Sequence, residues 1–238
     1  IVACLIAICN LHTKRITMRY QQLSKELYIT NRKKFASALP PGALALFTSN
    51  DIMPTSADGT MPFKQASDIF YLSGVDQEES VLLLFPTCSN ERHREVLFLK
   101  ETNSEIAIWE GEKLTKEAAY EVSGVRTVYW TSQFEKMLHT IVSESSCVYL
   151  NSNEHTRAGI EVETREMRLS KWMRKKYPHY RYERSAPIMH KIRSIKEGEE
   201  IDQMQRAADI TKAGFERILK FIRPGVMEYE IEAEFAHE

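Results

Sequence analysis

The spacing of apolar and polar residues predicts alternating helices and strands from Met18 onward. Residues 24–38 place Leu27 and Phe35 on one helical face, and the prolines and glycine at 40–42 end that helix. Short apolar runs predict strands at residues 43–47, 80–85, 95–99, 106–109, 126–130 and 147–150. Strands interleaved with helices predict a layered α/β domain around a mixed sheet.

Helical patterns fill much of the chain after the fifth strand. Ser132 and Glu135 form a capping-box pattern, which predicts that a helix begins there. A basic amphipathic helix is predicted over about 155–177. Residues 177–187 contain two prolines and no apolar periodicity, so this stretch is predicted to be a linker.

The linker leads into a second, shorter region. Ser194-x-x-Glu197 predicts the start of a long amphipathic helix that ends before Pro224, and a last helical pattern begins at Met227. We therefore expect one domain over 18–185 and the first two helices of a second domain over 186–238.

The first 17 residues are expected to lie outside the fold. The apolar run at 1–9 is shorter than the roughly 20 residues that a membrane span needs, so no membrane association is predicted. The run is either the remnant of a signal peptide or sequence upstream of a start at Met18, and we favour the second. With neither end resembling a domain boundary, the 238 residues are interpreted as a fragment.

Composition and charge narrow the function. The 32 basic and 33 acidic side chains leave a net charge of −1, which argues against binding nucleic acid through bulk charge. Basic residues at 165–184 are interleaved with aromatic ones, but this positive charge is local, so no nucleic-acid partner is predicted. The four cysteines form no CxxC motif, and so sparse a set favours a reducing, cytoplasmic compartment.

Few motifs of known chemistry are present. The sequence contains no GxSxG elbow and no glycine-rich phosphate loop. Glu234 and His237 have the spacing found in di-metal bundles, but only one copy occurs, and it is interpreted as a solvated helix face. The most unusual stretch is 55–74, a polar loop with Asp58 that leads into several aromatic residues. It is either a binding loop or a structural corner, and Trp109, just before a glycine, has the same two interpretations.

Three ordered blocks resemble the aminopeptidase P (Xaa-Pro aminopeptidase) family and together cover about 18–238. The first comprises Ser56-Ala57-Asp58 and Pro62-Phe63-x-Gln65-x-Ser67-Asp68-x-Phe70-Tyr71-Leu72-Ser73-Gly74. The second is Ile108-Trp109-x-Gly111 with Leu114. The third runs from His190-Lys191-Ile192-Arg193 through Lys196-x-x-Glu199-Glu200-Ile201, Arg206-Ala207-Ala208 and Arg223-Pro224-Gly225 to Glu228-Tyr229-x-Ile231-Glu232.

The resemblance implies a three-layer, ribonuclease-H-like N-terminal domain of the creatinase and aminopeptidase P type, followed by the start of a pita-bread catalytic domain. It implies a metallopeptidase that releases an N-terminal residue preceding proline, with two manganese ions and a bridging hydroxide. Xaa-Pro peptides are the implied substrates, and a dimer or tetramer is the implied assembly. Asp58 matches an aspartate linked to substrate recognition, and Trp109 matches a tryptophan that reaches a neighbouring subunit's active site.

No metal ligand or catalytic residue of the family can be assigned in this sequence, so the chain alone is expected to be inactive. Two alternatives to the aminopeptidase remain open: a non-catalytic binding protein with the same architecture, and a proline dipeptidase variant. The Asp58 and Trp109 blocks resemble the peptidase branch, which favours the aminopeptidase.

Overall fold

The computed structural model describes residues 22–159 and 161–238. The expected extension over 1–17 and the expected start at Met18 therefore lie outside the described residues. The chain divides into two compact units, the first ending at Met189 and the second running from His190 to Glu238. Within the described residues, no helix has the length and apolar content that a membrane crossing requires.

Helices and strands alternate through the first unit. In chain order they are α1 (Lys25–Ala38), β1 (Ala43–Thr48), α2 (Ser67–Ser73), β2 (Val81–Leu84), β3 (Glu95–Leu99), α3 (Ser104–Glu110), α4 (Lys116–Ser123), β4 (Thr127–Trp130), α5 (Phe134–Val142), β5 (Cys147–Leu150), α6 (Arg165–Lys176), β6 (Arg181–Arg184) and α7 (Ala186–Ser194). Short 3₁₀ turns at Glu91–His93 and Thr131–Gln133 precede β3 and α5. Helix α7 contains the boundary between the two units, and the second unit adds α8 (Gly198–Phe221) and α9 (Glu228–His237).

The strands form one six-stranded mixed sheet in the order β4-β3-β2-β1-β5-β6. Strand β2 is antiparallel to both of its neighbours, whereas the β1–β5, β5–β6 and β3–β4 pairs are parallel. The carboxyl ends of the other five strands therefore meet the start of β2 at one edge of the sheet. This edge is where α/β sheets commonly present side chains to ligands.

Helices cover both faces of the sheet, which confirms the predicted three-layer α/β architecture. Leu44 and Leu46 of β1 belong to the buried cluster formed with α5 and α6, which supply Leu138 and Met173. The alternate residue Phe47 faces the other way, as successive strand residues do, and its ring lies edge-on 5.1 Å from the ring of Phe35 in α1. All six residues of β1 are buried, which explains why the strand has no polar alternation in sequence.

Residues 106–109, predicted as a strand, lie in helix α3 instead. The side chain of Asn103 accepts a hydrogen bond from the Ile106 amide at 2.9 Å and so caps the helix. A short apolar run has the same appearance in a strand and in a helix turn, so periodicity could not separate the two. Helix α4, which the sequence analysis did not predict, also starts at a capping side chain, that of Thr115.

The predictions for 155–187 need two corrections. The helix expected over about 155–177 begins only at Arg165, where Thr164 caps it. The stretch 177–187 is not a linker throughout, because β6 within it pairs with β5 and forms an edge of the sheet. An edge strand that is rich in charge lacks the apolar signal of a buried strand, which explains the error.

Two helix starts were also placed too early. Ser132 lies in a 3₁₀ turn, and α5 itself begins at Phe134. Ser194 ends α7, where its hydroxyl donates to the Lys191 carbonyl, whereas α8 is capped through a hydrogen bond from the Glu197 amide to the Glu200 carboxylate. The capping pattern was thus present, but at Glu197 rather than at Ser194.

The second unit is a helical pair with much exposed apolar surface. Phe215 of α8 packs edge-on against Phe235 of α9, and Arg217 pairs with Glu234 at 2.7 Å. This ion pair places Glu234 against a neighbouring helix, not on a fully solvated face. Several large apolar side chains of the unit are nevertheless more than half exposed: Ile201, Met204, Ile210, Phe215, Leu219, Ile222, Met227 and Tyr229.

We expect amide hydrogen exchange to be faster in 198–237 than in strands β1 to β3. The strands are almost wholly buried, whereas the helices of the second unit bury few side chains, so they open at a lower free energy. Exchange measured by mass spectrometry on the 238-residue chain tests this. Equal protection of the two regions would show that the exposed apolar faces are covered in solution.

Candidate functional site

A cavity of about 730 Å³ lies in the first unit, beside the two sequence blocks that carry the family resemblance. Pro62, Phe63 and Gly74 contribute from the first block, and Leu114 contributes from the second. The remaining wall comes from residues 76–78, from helices α3 and α4, and from the segments just before α3 and between the two helices. A cavity of this size can hold a small molecule or a peptide side chain.

A buried ion pair forms one wall of this cavity. The ammonium group of Lys113 contacts the carboxylate of Glu78, and both side chains are about nine-tenths buried. Glu110 adds a second carboxylate 3.5 Å from the same ammonium group. The pair joins the segment after Gly74 to the segment that follows α3, and removing one partner would leave a buried charge unpaired.

A second lysine extends the network toward solvent. Lys100 at the end of β3 lies 2.7 Å from Glu110 and 3.6 Å from Glu79. Its hydrogen bond lowers the pKa of the Glu110 carboxyl and raises the pKa of Lys100 itself, so both groups stay charged at neutral pH. Glu79 has a positive φ of 53°, an uncommon conformation for a residue with a side chain.

Two glutamine side chains organise the segment after Gly74, and one of them, Gln77, lines the cavity. Gln65 is buried, and its amide donates to the backbone carbonyls of Val75 and Gln77 at 3.0 and 2.9 Å. The Gln77 side-chain oxygen accepts from the Leu114 amide at 2.8 Å, which ties the two sequence blocks together. The Gln77 amide nitrogen is buried and has no hydrogen-bond partner among the described residues, so it remains a potential donor.

Asp58, one of the two predicted substrate-binding residues, lies at an exposed turn. The turn closes through hydrogen bonds from the Thr55 amide to the Gly59 carbonyl and from the Gly59 amide to the Ser56 carbonyl, each 2.9 Å. Ala57 adopts a positive φ of 50° before it. Asp58 is solvent-accessible and is not among the described lining residues of the cavity.

Trp109, the other predicted residue, lies in the last turn of α3. Its neighbours Ala107 and Glu110 line the cavity. Gly111 follows with a φ of 80°, a backbone conformation that favours glycine, and α3 ends there. The structure therefore places Trp109 on an element of the cavity wall, whereas Asp58 lies on the loop that supplies Pro62 and Phe63.

The stretch 55–74, predicted as a polar loop, is a loop only as far as Ala66, because Ser67–Ser73 form α2; Pro62, Phe63 and Gly74 from this stretch line the cavity. Asp68 in the first turn of α2 accepts a hydrogen bond from the Asn151 side chain at 3.0 Å. Sequence reasoning missed Gln77, Glu78 and Lys113. Glu78 and Glu79 stand just before a continuous apolar strand in the sequence. Residues at the start of such a strand lie at the edge of a buried sheet, so these two charges could have indicated a candidate site there.

The described residues do not form a metal centre. Among them, no group of three or more histidine, cysteine, aspartate or glutamate side chains is placed to hold a metal ion. The cavity wall carries an ion pair instead, so the residues present here do not fit a two-metal site.

Two protein-family models match the chain, in the order that the sequence blocks suggest. The model for the aminopeptidase P N-terminal domain matches residues 28–149, more than half of the chain. The model for metallopeptidase family M24 matches residues 202–238. The chain thus combines an aminopeptidase-type α/β domain with a metallopeptidase segment, and it belongs to the aminopeptidase P family. This confirms the resemblance drawn from the sequence.

Individual relatives agree with this assignment. The Xaa-Pro aminopeptidase of Escherichia coli is 29% identical over 219 residues, covering 91% of this chain and 49% of the relative. An aminopeptidase P structure from Bacillus anthracis superposes with a TM-score of 0.82 at 26% identity, covering 90% of this chain and 51% of that one. A zinc-substituted aminopeptidase P of E. coli with bound product has a TM-score of 0.78 at 26% identity, covering 91% and 49%. The chain spans about half the length of the relatives it matches.

Proposed function

We propose that this chain is part of a metal-dependent Xaa-Pro aminopeptidase, which releases an N-terminal residue that precedes proline. The carrying observation is that both family models match in order along a chain whose relatives bear that name. Manganese is the proposed metal, and its ligands are proposed to lie outside the described residues. A homo-oligomer built through the first unit and a cytoplasmic location belong to the same proposal.

The first unit is proposed to position substrate rather than to perform the chemistry. Asp58 is exposed on the 53–61 turn, where a carboxylate can meet the amino group of a peptide. Trp109 is proposed to supply an aromatic surface for the substrate from the end of α3. The Glu78–Lys113 pair and the Gln77 side chain hold the segment after Gly74 against the segment that follows α3.

The decisive assay compares peptides that differ only at the second residue. With the full-length protein and added manganese, we expect Ala-Pro-Ala to be cleaved and Ala-Ala-Ala to be cleaved far more slowly, and a chelator should abolish turnover. The 238-residue chain alone is expected to show no turnover. Cleavage without proline preference would contradict the proposal, and a full-length protein with no metal-dependent turnover would favour the non-catalytic binding protein.

Asp58→Asn should raise KM for Ala-Pro-Ala by roughly tenfold and change kcat little, because a lost charge-assisted hydrogen bond to the substrate weakens binding by about this factor. Glu161→Gln is the matched control, since it also removes an exposed carboxylate from the first unit. An unchanged KM in the Asp58 variant would show that this residue does not bind the substrate. The peptidase assignment would then be decided by the comparison of the two peptides.

A further inference from the structure

A second cavity, of about 330 Å³, lies at the edge of the sheet where β1 ends and β2 begins. Thr48 and Val81 form its floor, and the first turns of α5 and α6 form its walls. Both helix N-termini are therefore close to it, and helix N-termini favour negative charge. None of its lining residues belongs to the sequence blocks that carry the family resemblance, so this cavity concerns something beyond the proposed function.

Arg165 gives the cavity a positive charge without a partner. It lines the cavity at the first position of α6, and it makes no hydrogen bond or ion pair within 4 Å to any residue that the structure describes. Burial lowers its pKa, although the more distant carboxylates of Glu79 and Asp51 act in the opposite direction. The guanidinium remains charged, since the ordinary pKa of arginine lies far above neutrality.

The other charged residues at the cavity already have partners. Arg168 binds Asp51 at 2.6 Å, and Glu135 binds Lys176 at 2.7 Å. Glu166, beside Arg165 in sequence, accepts hydrogen bonds from the Asn151 side chain and from the Asn153 amide, each at 3.1 Å. Among the charged residues of the described cavity wall, Arg165 therefore has no counter-ion in direct contact.

Thr48 supplies an independent observation. Its side chain is buried, with 3% of the residue exposed, and its hydroxyl has no hydrogen-bond partner among the described residues. An unsatisfied buried hydroxyl costs about 1–3 kcal/mol, so such a group is normally paired. Here it lines the same cavity as Arg165, and a ligand oxygen between them would satisfy both groups.

The remaining wall is apolar. Leu169 and Trp172 follow Arg165 at i+4 and i+7 on α6, and Phe134 contributes from α5, with its ring centroid 6.1 Å from that of Trp172. An arginine fork and one hydroxyl suit a planar monoanion, because a carboxylate accepts two parallel hydrogen bonds from guanidinium. The nearby Asp51 and Glu135 disfavour a doubly charged phosphate. We propose that this cavity binds a carboxylate attached to an apolar or aromatic group, held by Arg165 and Thr48.

Binding of 3-phenylpropionate to the full 238-residue chain tests this proposal. We expect saturable binding that shifts the Trp172 indole signal in an NMR titration, and binding of the neutral 3-phenylpropionamide should be weaker by about tenfold or more. Arg165→Gln should weaken carboxylate binding at least as strongly, and Thr48→Val should weaken it several-fold. Thr48→Val removes an unpartnered hydroxyl, so it should not lower the melting temperature, which separates the binding effect from misfolding.

Arg181→Gln is the control, because Arg181 is an exposed arginine of the first unit that lies on edge strand β6. It should bind 3-phenylpropionate like the wild type. Equal binding of acid and amide, unchanged binding by Arg165→Gln, or tighter binding of phenyl phosphate would each overturn the proposal. Binding of Ala-Ala-Ala-Phe, with its C-terminal amide as the control for the carboxylate, then separates two sources of the ligand. Tighter binding of the free-acid peptide than of 3-phenylpropionate identifies a peptide C-terminus, and weaker binding identifies a small organic acid. These measurements involve no peptide cleavage, so their outcome is independent of the aminopeptidase assay.

Discussion

Replacing Arg32 with methionine is expected to lower the free energy of unfolding of the first unit by about 2–5 kcal/mol, because two buried carbonyl oxygens lose a charged hydrogen-bond donor at about 1–3 kcal/mol each. The Arg32 side chain is fully buried, and its Nε donates to Glu95 at 3.0 Å. Its Nη1 donates to the carbonyl oxygens of Leu72 at 2.8 Å and Ser123 at 2.9 Å. Burial lowers the pKa of Arg32, while the neighbouring Glu95 opposes that shift.

The two carbonyl acceptors explain why the effect should be large. Leu72 and Ser123 lie at the C-terminal ends of α2 and α4, where helix carbonyls lack intrahelical partners. Arg32 therefore satisfies the ends of two helices with one cation, which also complements the negative ends of their dipoles. Methionine has a similar length, so it preserves much of the packing but leaves both carbonyls and Glu95 without the guanidinium.

Urea denaturation followed by circular dichroism provides the measurement. The matched control is Arg181→Met, because Arg181 Nε also pairs with a glutamate, Glu183 at 2.8 Å, but at an exposed position. An exposed pair contributes about 0–1 kcal/mol, so this control should change little. Arg32→Lys should fall between wild type and Arg32→Met, since lysine keeps the charge but not the fork of donors. A cost below about 1 kcal/mol for Arg32→Met would show that these bonds do not stabilise the fold.

Part of this arrangement could be predicted from the sequence. Tyr28, Arg32 and Phe35 are spaced i, i+4 and i+7, which puts the arginine on the apolar face of α1. That spacing signals a buried cation, but the partners of the cation lie 40 and 91 residues further along the chain. Contacts between residues so distant in sequence depend on tertiary structure, which a single sequence does not reveal.

The same distinction holds across the fold and the candidate site. Strands β3 and β5 were predicted with their observed limits, because continuous apolar runs mark strands buried on both faces. Helices α3 and α4 were missed or misassigned, because seven or eight residues give too few turns for a periodic signal. The residue pattern marked the Asp58 loop and Trp109 as either binding or structural, and only the resemblance assigned them a role in substrate binding. The Glu78–Lys113 pair was not predicted, because its members are 35 residues apart.

Helix α1 also restricts which residue types can occupy the C-terminal caps of α2 and α4. Gly74 and Gly124 follow these helices with almost the same backbone conformation, at φ 68° and 72° and ψ 3° and 4°. This left-handed conformation disfavours residues with a side chain. The difference lies in the neighbours on α1: a Cβ at Gly74 would lie 2.5 Å from Cζ of Tyr28, and one at Gly124 would lie 2.7 Å from Cδ1 of Ile29.

Gly74→Ala is therefore expected to destabilise the first unit by about 2–5 kcal/mol, because left-handed strain adds to overpacking. Tyr28 is buried and packs edge-on against Phe70, with ring centroids 6.3 Å apart, so its rigid ring cannot easily move aside. Gly124→Ala should cost only about 1–2 kcal/mol, the strain alone, because Ile29 is partly exposed and the end of its side chain can rotate away.

Urea titration of both variants isolates the clash, since the backbone strain is shared and cancels in the difference. Tyr28→Leu in the Gly74→Ala background should recover part of the loss, because a branched aliphatic side chain can adopt another rotamer where the ring cannot. Equal costs for the two glycine variants would mean that the Tyr28 ring yields, and that the close approach of α1 to the end of α2 is not what requires glycine at position 74.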